Sequence, residues 1–323
     1  MGFSTSSFQI ATVIGTLTGG FVATYLEWQT LFLIPLLSLL LLPSILKHLP
    51  KEENKKNNVD FLGLFIVAII ATSIMLYMSS FNWGLFILFI VSVIAFLFYI
   101  SKNKNAFITI DFFKNKQFLF ALVVAFIINT LYSAYALNTL SFLLTTVYDI
   151  QLDTVSLLFI PACLLAALVG ALSGKIGKHL NSKQCVYLAF GLIFVSLLLG
   201  AFFITTSIAV FVISLILFSC SFALLYAPLI DISIKHVPTQ KSGTALGFYN
   251  LCLNIAMSVG FTYSALLIDK KDLQFSFLSF VTDDPTALNY SSIIIILAAI
   301  AVLSIVLFWF LLGRKIDNRT PQN

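Results

Sequence analysis

Apolar stretches of about twenty residues, each closed by a short polar break, recur along this chain almost from end to end. A helix needs about 20 mostly apolar residues to cross the hydrocarbon layer of a bilayer. With that window the sequence predicts ten spanning helices, over residues 3–24, 28–47, 60–79, 84–101, 118–147, 154–174, 184–204, 206–228, 242–268 and 290–313. The expected fold class is an all-α membrane protein. Composition agrees: 60% of the 323 residues are hydrophobic and 10% charged, against roughly 45–50% and about 25% in soluble chains. A water-soluble domain could not hide so much apolar surface. The first span does not read as a signal peptide, because no basic region leads it and glycines and hydroxyls run through it.

The cations are sorted. Lys47, Lys51, Lys55 and Lys56, then Lys102, Lys104, Lys114 and Lys116, then Lys175, Lys178 and Lys183, then Lys235 and Lys241, then Arg314, Lys315 and Arg319 fall in alternate breaks. Only Lys270 and Lys271 fall on the other side. By the positive-inside rule the crowded side is cytoplasmic, and ten spans put both termini there. This distribution also sets aside nucleic acid as the reason for the net charge of +5. The stretches 47–60 and 102–117 read as inner linkers, and 269–289 as the longest polar segment outside.

Several chemistries find no support. Cys163, Cys185, Cys220 and Cys252 lie in or beside apolar runs without a CxxC pair, and read as small buried side chains. His48, His179 and His236 show no ligand spacing, so neither a metal nor another cofactor is expected. No P-loop or catalytic motif appears, and a membrane enzyme lacks the acidic and histidine cluster it would need. All 13 acidic residues lie in breaks or near span ends. A proton-driven carrier normally holds a carboxylate within the membrane, where burial raises its pKa into a working range.

Polar groups inside lipid are costly, and those that persist face a protein interior or a watery cavity. In the fifth span Tyr132, Tyr135, Asn138 and Thr139 share about a third of a turn. In the ninth, Gly243, Gly247, Asn250, Asn254 and Ser258 share a similar arc. Either stripe can line a substrate path or tie helices together. Gly15, Gly19 and Gly20 form a small-residue packing pattern in the first span. Pro161 and Pro228 remove backbone bonds within or at the end of spans.

Three stretches carry a resemblance. Gly15-Thr16-Leu17-Thr18-Gly19-Gly20, followed by Trp28-Gln29-Thr30-Leu31-Phe32, resembles the antiporter signature of the fourteen-span drug:proton antiporters of the major facilitator superfamily. Thr16 stands where that family usually has proline, and Gln29 where it often has arginine. Gly170-Ala171-Leu172-Ser173-Gly174-Lys175-Ile176-Gly177-Lys178 is similar to the superfamily's cytoplasmic loop, with Gly174 at the usual aspartate position. Ser242-Gly243-Thr244-Ala245-Leu246-Gly247, with Asn250, looks like the start of span thirteen. The likeness is to staphylococcal tetracycline-efflux proteins in particular.

The resemblance implies a major facilitator fold with an incomplete N-terminal bundle and a complete C-terminal six-helix bundle. Residues 1–49 would end the first bundle, 50–117 hold a linker and two inserted helices, and 118–323 form the second bundle. Spans one to four would be missing, and the family's membrane carboxylate with them. Implied partners are the lipid bilayer, protons and a small amphipathic drug, in a bacterial plasma membrane. Gly170, Lys175, Gly177 and Lys178 would form a cytoplasmic gating loop. The chain would be inactive alone, or would instead serve a full-length antiporter as a non-transport partner. Threading is testable: amine labelling of intact cells is expected to miss Lys55 and Lys178 and to reach Lys270, with all three modified after permeabilisation.

Overall fold

The computed structural model describes residues 2–48, 60–103, 106–108, 112–113, 115–203, 207–235, 237, 242–270 and 273–313. Among them every regular element is helical. α1 (Gly2–Tyr25) leads through a 3₁₀ segment (Trp28–Leu41) into a short α2 (Leu42–His48). Then follow α3 (Phe61–Ser80), α4 (Trp83–Lys102), α5 (Lys116–Thr146), α6 (Leu152–His179), α7 (Ser182–Phe202), α8 (Ile208–Ile234), α9 (Ser242–Asp269) and α10 (Pro285–Phe308).

Eight helices among the described residues, α3 to α10, are long and apolar enough to cross a membrane. The first two expected spans also hold apolar pieces, Ile10–Tyr25 within α1 and Gln29–Ser44. The second piece holds Pro35 inside its 3₁₀ coil. At a rise of about 2.0 Å per residue, such a coil covers in fewer residues the distance an α-helix covers at about 1.5 Å.

α5 to α10 share one apolar core, and α5 is its axis. Of its apolar window 72% is buried, against 17% for α3 and for α4. Those two form a peripheral hairpin, packed chiefly on each other, with α3 also against α9. Their turn is tight: Phe81 takes a left-handed backbone with φ 51°, and Asn82 caps α4 by accepting from Gly84 N at 2.9 Å. α1 lies along α6 and touches α8, and its end is tied down where Tyr25 Oη donates to Asp153 at 2.9 Å.

Within the stretch expected as a second linker, the described residues are packed. Ile108 and Phe112 are buried, and the Phe107 ring sits 6.1 Å from Phe96 and 6.3 Å from Phe248. The aromatic side chains among the lysines dock there because burying such rings is worth more than leaving them in water. The expected gating loop differs as well. Gly170, Lys175, Gly177 and Lys178 all lie on α6, which runs as helix to His179. Backbone hydrogen bonds continue past the apolar window, which closes at Ser173. The turn comes only at Asn181, whose N–H donates to Gln184 Oε1 at 3.0 Å in a capping box. Gly170 is buried and Lys175 exposed, while the side chains at Gly177 and Lys178 lie outside the described residues.

Asp60 joins both ends of the hairpin. Its carboxylate accepts from Gly63 N at 2.9 Å, capping α3, from Tyr99 Oη of α4 at 2.5 Å, and from Phe107 N at 3.0 Å. Partial burial by itself would raise this carboxyl, but the three hydrogen bonds outweigh it and hold it below its ordinary value. Its contribution is therefore complete at neutral pH and is lost as the pH falls through that lowered value. Asp60→Ala is expected to cost about 1 kcal/mol of local stability, as for other lost caps. Hydrogen exchange should then quicken in the first turn of α3, and in the unaltered chain it should quicken only on acidification.

Candidate functional site

α5 carries its polar residues where its backbone departs from the α pattern. Ser133–Thr139 is a π-helical stretch, in which Leu140 N–H reaches back to Tyr135 O. Such widened turns recur at functional sites. The wider turn also redirects the stripe expected from regular helical spacing. Tyr132 stacks on Phe222 of α8, ring centroids 4.2 Å apart. Tyr135 Oη lies 2.7 Å from Ser214 Oγ, also on α8. Asn138 Nδ2 donates to Ser264 Oγ of α9 at 2.7 Å. Thr139 Oγ1 is buried and has no hydrogen-bond partner among the described residues. All four side chains thus lie buried, three of them in contacts with neighbouring helices.

Two serines that the sequence did not single out complete this spine. Ser196 Oγ of α7 donates to Ser214 O at 2.7 Å, and Ser214 Oγ donates to Ser196 O at 2.8 Å. The hydroxyls thus clasp α7 to α8 where the Tyr135 hydroxyl meets Ser214. The sequence signal was weak, because Ser214 is one of several serines in α8, with Ser219 and Ser221, and serines are too common in membrane helices to stand out.

The α9 stripe behaves differently. Asn250 and Asn254 are exposed and Ser258 is half-buried, so this polar face points away from the core. Its donors turn back onto the helix, Asn254 Nδ2 to Asn250 O at 3.0 Å and Ser258 Oγ to Asn254 O at 3.2 Å. Phe261, on the same face one turn further, walls a cavity of about 350 Å³ shared by α1, α5, α6 and α9. Gly15 and Gly19 of α1, Leu137 and Ser141 of α5 and Phe159 of α6 line the rest of it.

The glycines of the first motif divide. Gly15 and Gly19 face open space, whereas a Cβ at Gly20 would run into the Ser156 side chain and the Leu152 carbonyl of α6. Gly260 of α9 is equally confined, facing Ser133 and the Thr130 carbonyl of α5. The close helix contacts are therefore made at Gly20 and Gly260, and Gly15 and Gly19 instead leave room for the cavity.

A profile of the Major Facilitator Superfamily matches residues 1–261. Quinolone resistance protein NorB of Staphylococcus aureus (strain MSSA476) is 24% identical over 262 residues, covering 76% of this chain and 56% of NorB. NorB of S. aureus (strain COL) is 23% identical over 320 residues, covering 93% and 66%. Multidrug transporter protein MdtP of Bacillus subtilis (strain 168) is 27% identical over 131 residues, covering 37% and 24%. The chain spans 56% of the length of the first of these relatives.

The glycine contacts predict a contrast. Gly20→Ala and Gly260→Ala force backbone apart and are expected to cost about 1–3 kcal/mol each, as overpacking does. Gly15→Ala and Gly19→Ala should leave thermal stability in detergent unchanged.

Proposed function

Because this chain belongs to the Major Facilitator Superfamily, we propose that it serves membrane transport as part of a drug-efflux antiporter. One observation carries the reading: α9, a membrane-length helix, has an exposed polar face from Asn250 to Ser258, one turn before Phe261 in the wall of the cavity beside Gly15 and Gly19. Exposed carboxamides are unfavourable against lipid and favourable against a watery path or a partner helix. Transporters of this class work by rocking two bundles about a site between them. In this proposal residues 118–323 form one bundle, 1–49 end the other, and 50–117 carry an inserted pair within a fourteen-span plan. The buried α5 spine, Tyr132 to Thr139, then forms the rigid wall behind the path.

The cargo proposed is a small amphipathic drug. The relatives' names point to quinolones and to several drugs, and the motif resemblance to tetracycline. Exchange for protons needs a titrating group within the membrane. The acidic residues among those described stay at helix ends and loops, Asp231 in the last turn of α8 included. The proton is therefore assigned to helices outside these 323 residues, and the lysine-rich end of the bundle to the cytoplasm.

Expression in a drug-sensitive bacterium tests this. Residues 1–323 alone should leave norfloxacin and tetracycline sensitivity unchanged. Co-expression with the first four spans of NorB should raise resistance at least fourfold for one of the two drugs. The gain should vanish when the proton gradient is collapsed, and Asn254→Leu should abolish it. Gradient-dependent resistance from residues 1–323 alone would defeat the proposal.

A further inference from the structure

The break between α9 and α10, charged at both ends, is apolar at its centre. Phe275, Phe277, Leu278, Phe280 and Val281 are five of the seven residues over 275–281, and no charge stands between Asp272 and Asp283. The fold pins this stretch. Ser276–Leu278 forms a 3₁₀ turn, Phe275 N–H donates to Ser292 Oγ of α10 at 3.0 Å, and the Leu278 side chain is fully buried. With Leu278 turned inward, the rings on either side of it turn out: Phe277 is 58% exposed and Phe280 75%. Bare rings held out together by a fixed turn mark a surface that something covers.

Two observations say what covers it. Phe280 stacks on Phe202, ring centroids 6.1 Å apart, and Phe202 is the last residue of α7, a helix of membrane-crossing length. Leu188 and Val195 are exposed on the same face of α7, each seven residues from the next member of the stripe. Phe280 therefore prolongs an apolar stripe that a spanning helix turns to lipid, at the level where that helix leaves the hydrocarbon. The turn between α3 and α4 lies at the same end of the bundle, since Ser79 lines a common cavity with Asp269, Gln274 and Pro285. There Phe81 and Trp83 are exposed as well. Aromatic rings gathered at one level of a spanning protein mark the boundary between headgroups and acyl chains. We propose that residues 275–281 form an interfacial anchor, docking Phe277 and Phe280 into that boundary of the bilayer. The anchor rests on the threading of α7, α9 and α10 and is independent of the transport proposed above.

Fluorescence quenching tests this on the full 323-residue chain in phosphatidylcholine nanodiscs. Trp28, Trp83 and Trp309 are changed to Phe, and one tryptophan is placed in the loop. Phe280→Trp should be quenched at least about twofold more strongly by lipids brominated on their acyl chains than by iodide in the water. Asp283→Trp, further along the same loop, should show the reverse order. Stronger iodide quenching at Phe280→Trp would put the ring in water and overturn the proposal. Lipid quenching at both positions would also overturn it, because it would report only the attraction of tryptophan itself to membranes. Protection of Phe280→Trp from both quenchers would place the ring under protein, a second copy or another helix, with the same consequence. Leu278→Ala empties the buried seat and should at least double iodide quenching at position 280; unchanged quenching would overturn the pinned turn on which the anchor depends.

Discussion

Hydrogen bonds between α5 and its neighbours are the interactions on which this bundle depends. In a bilayer the apolar surfaces of helices gain little by leaving lipid, so association relies on close packing and on polar groups that find each other. Tyr135 with Ser214, Asn138 with Ser264 and the Ser196–Ser214 clasp meet that need at three interfaces. Gly260 lets α9 come near enough for the Asn138 bond to form. The π-helical stretch through Ser133–Thr139 turns these side chains toward their partners. Without it, regular spacing would hold all four polar residues on one arc.

The same physics sorts the polar stripes by purpose. A group that bonds a neighbouring helix is buried and structural, as in α5. A group that meets only its own helix, as Asn254 does in bonding back to Asn250, leaves a polar face for something else. In the proposed transporter, the α9 face and the cavity beside Gly15 and Gly19 are where the substrate path would run.

Much of the fold was legible before any coordinates. The limits of α3, α4, α5 and α9 follow from apolar length, because lipid imposes a window that no other solvent imposes. Three features were not legible. The Trp28–Leu41 coil is 3₁₀, a matter of hydrogen-bond register that hydropathy does not report. α6 outlasts its apolar window, because a helix can continue into water. The stretch near Phe107 reads as linker by its lysines, yet it docks through its rings.

What the amino-acid order determined by itself is the solvent: long apolar runs must span, and charges must stay in the breaks between them, because burying charge in hydrocarbon is too costly. Family likeness was also visible there, in glycine-rich motifs. Only the tertiary structure decided which polar side chains face inward, outward or into a cavity. That choice rests on helix rotation, on one widened turn in α5, and on whether a neighbouring helix presents a partner, none of which spacing along a single helix can reveal.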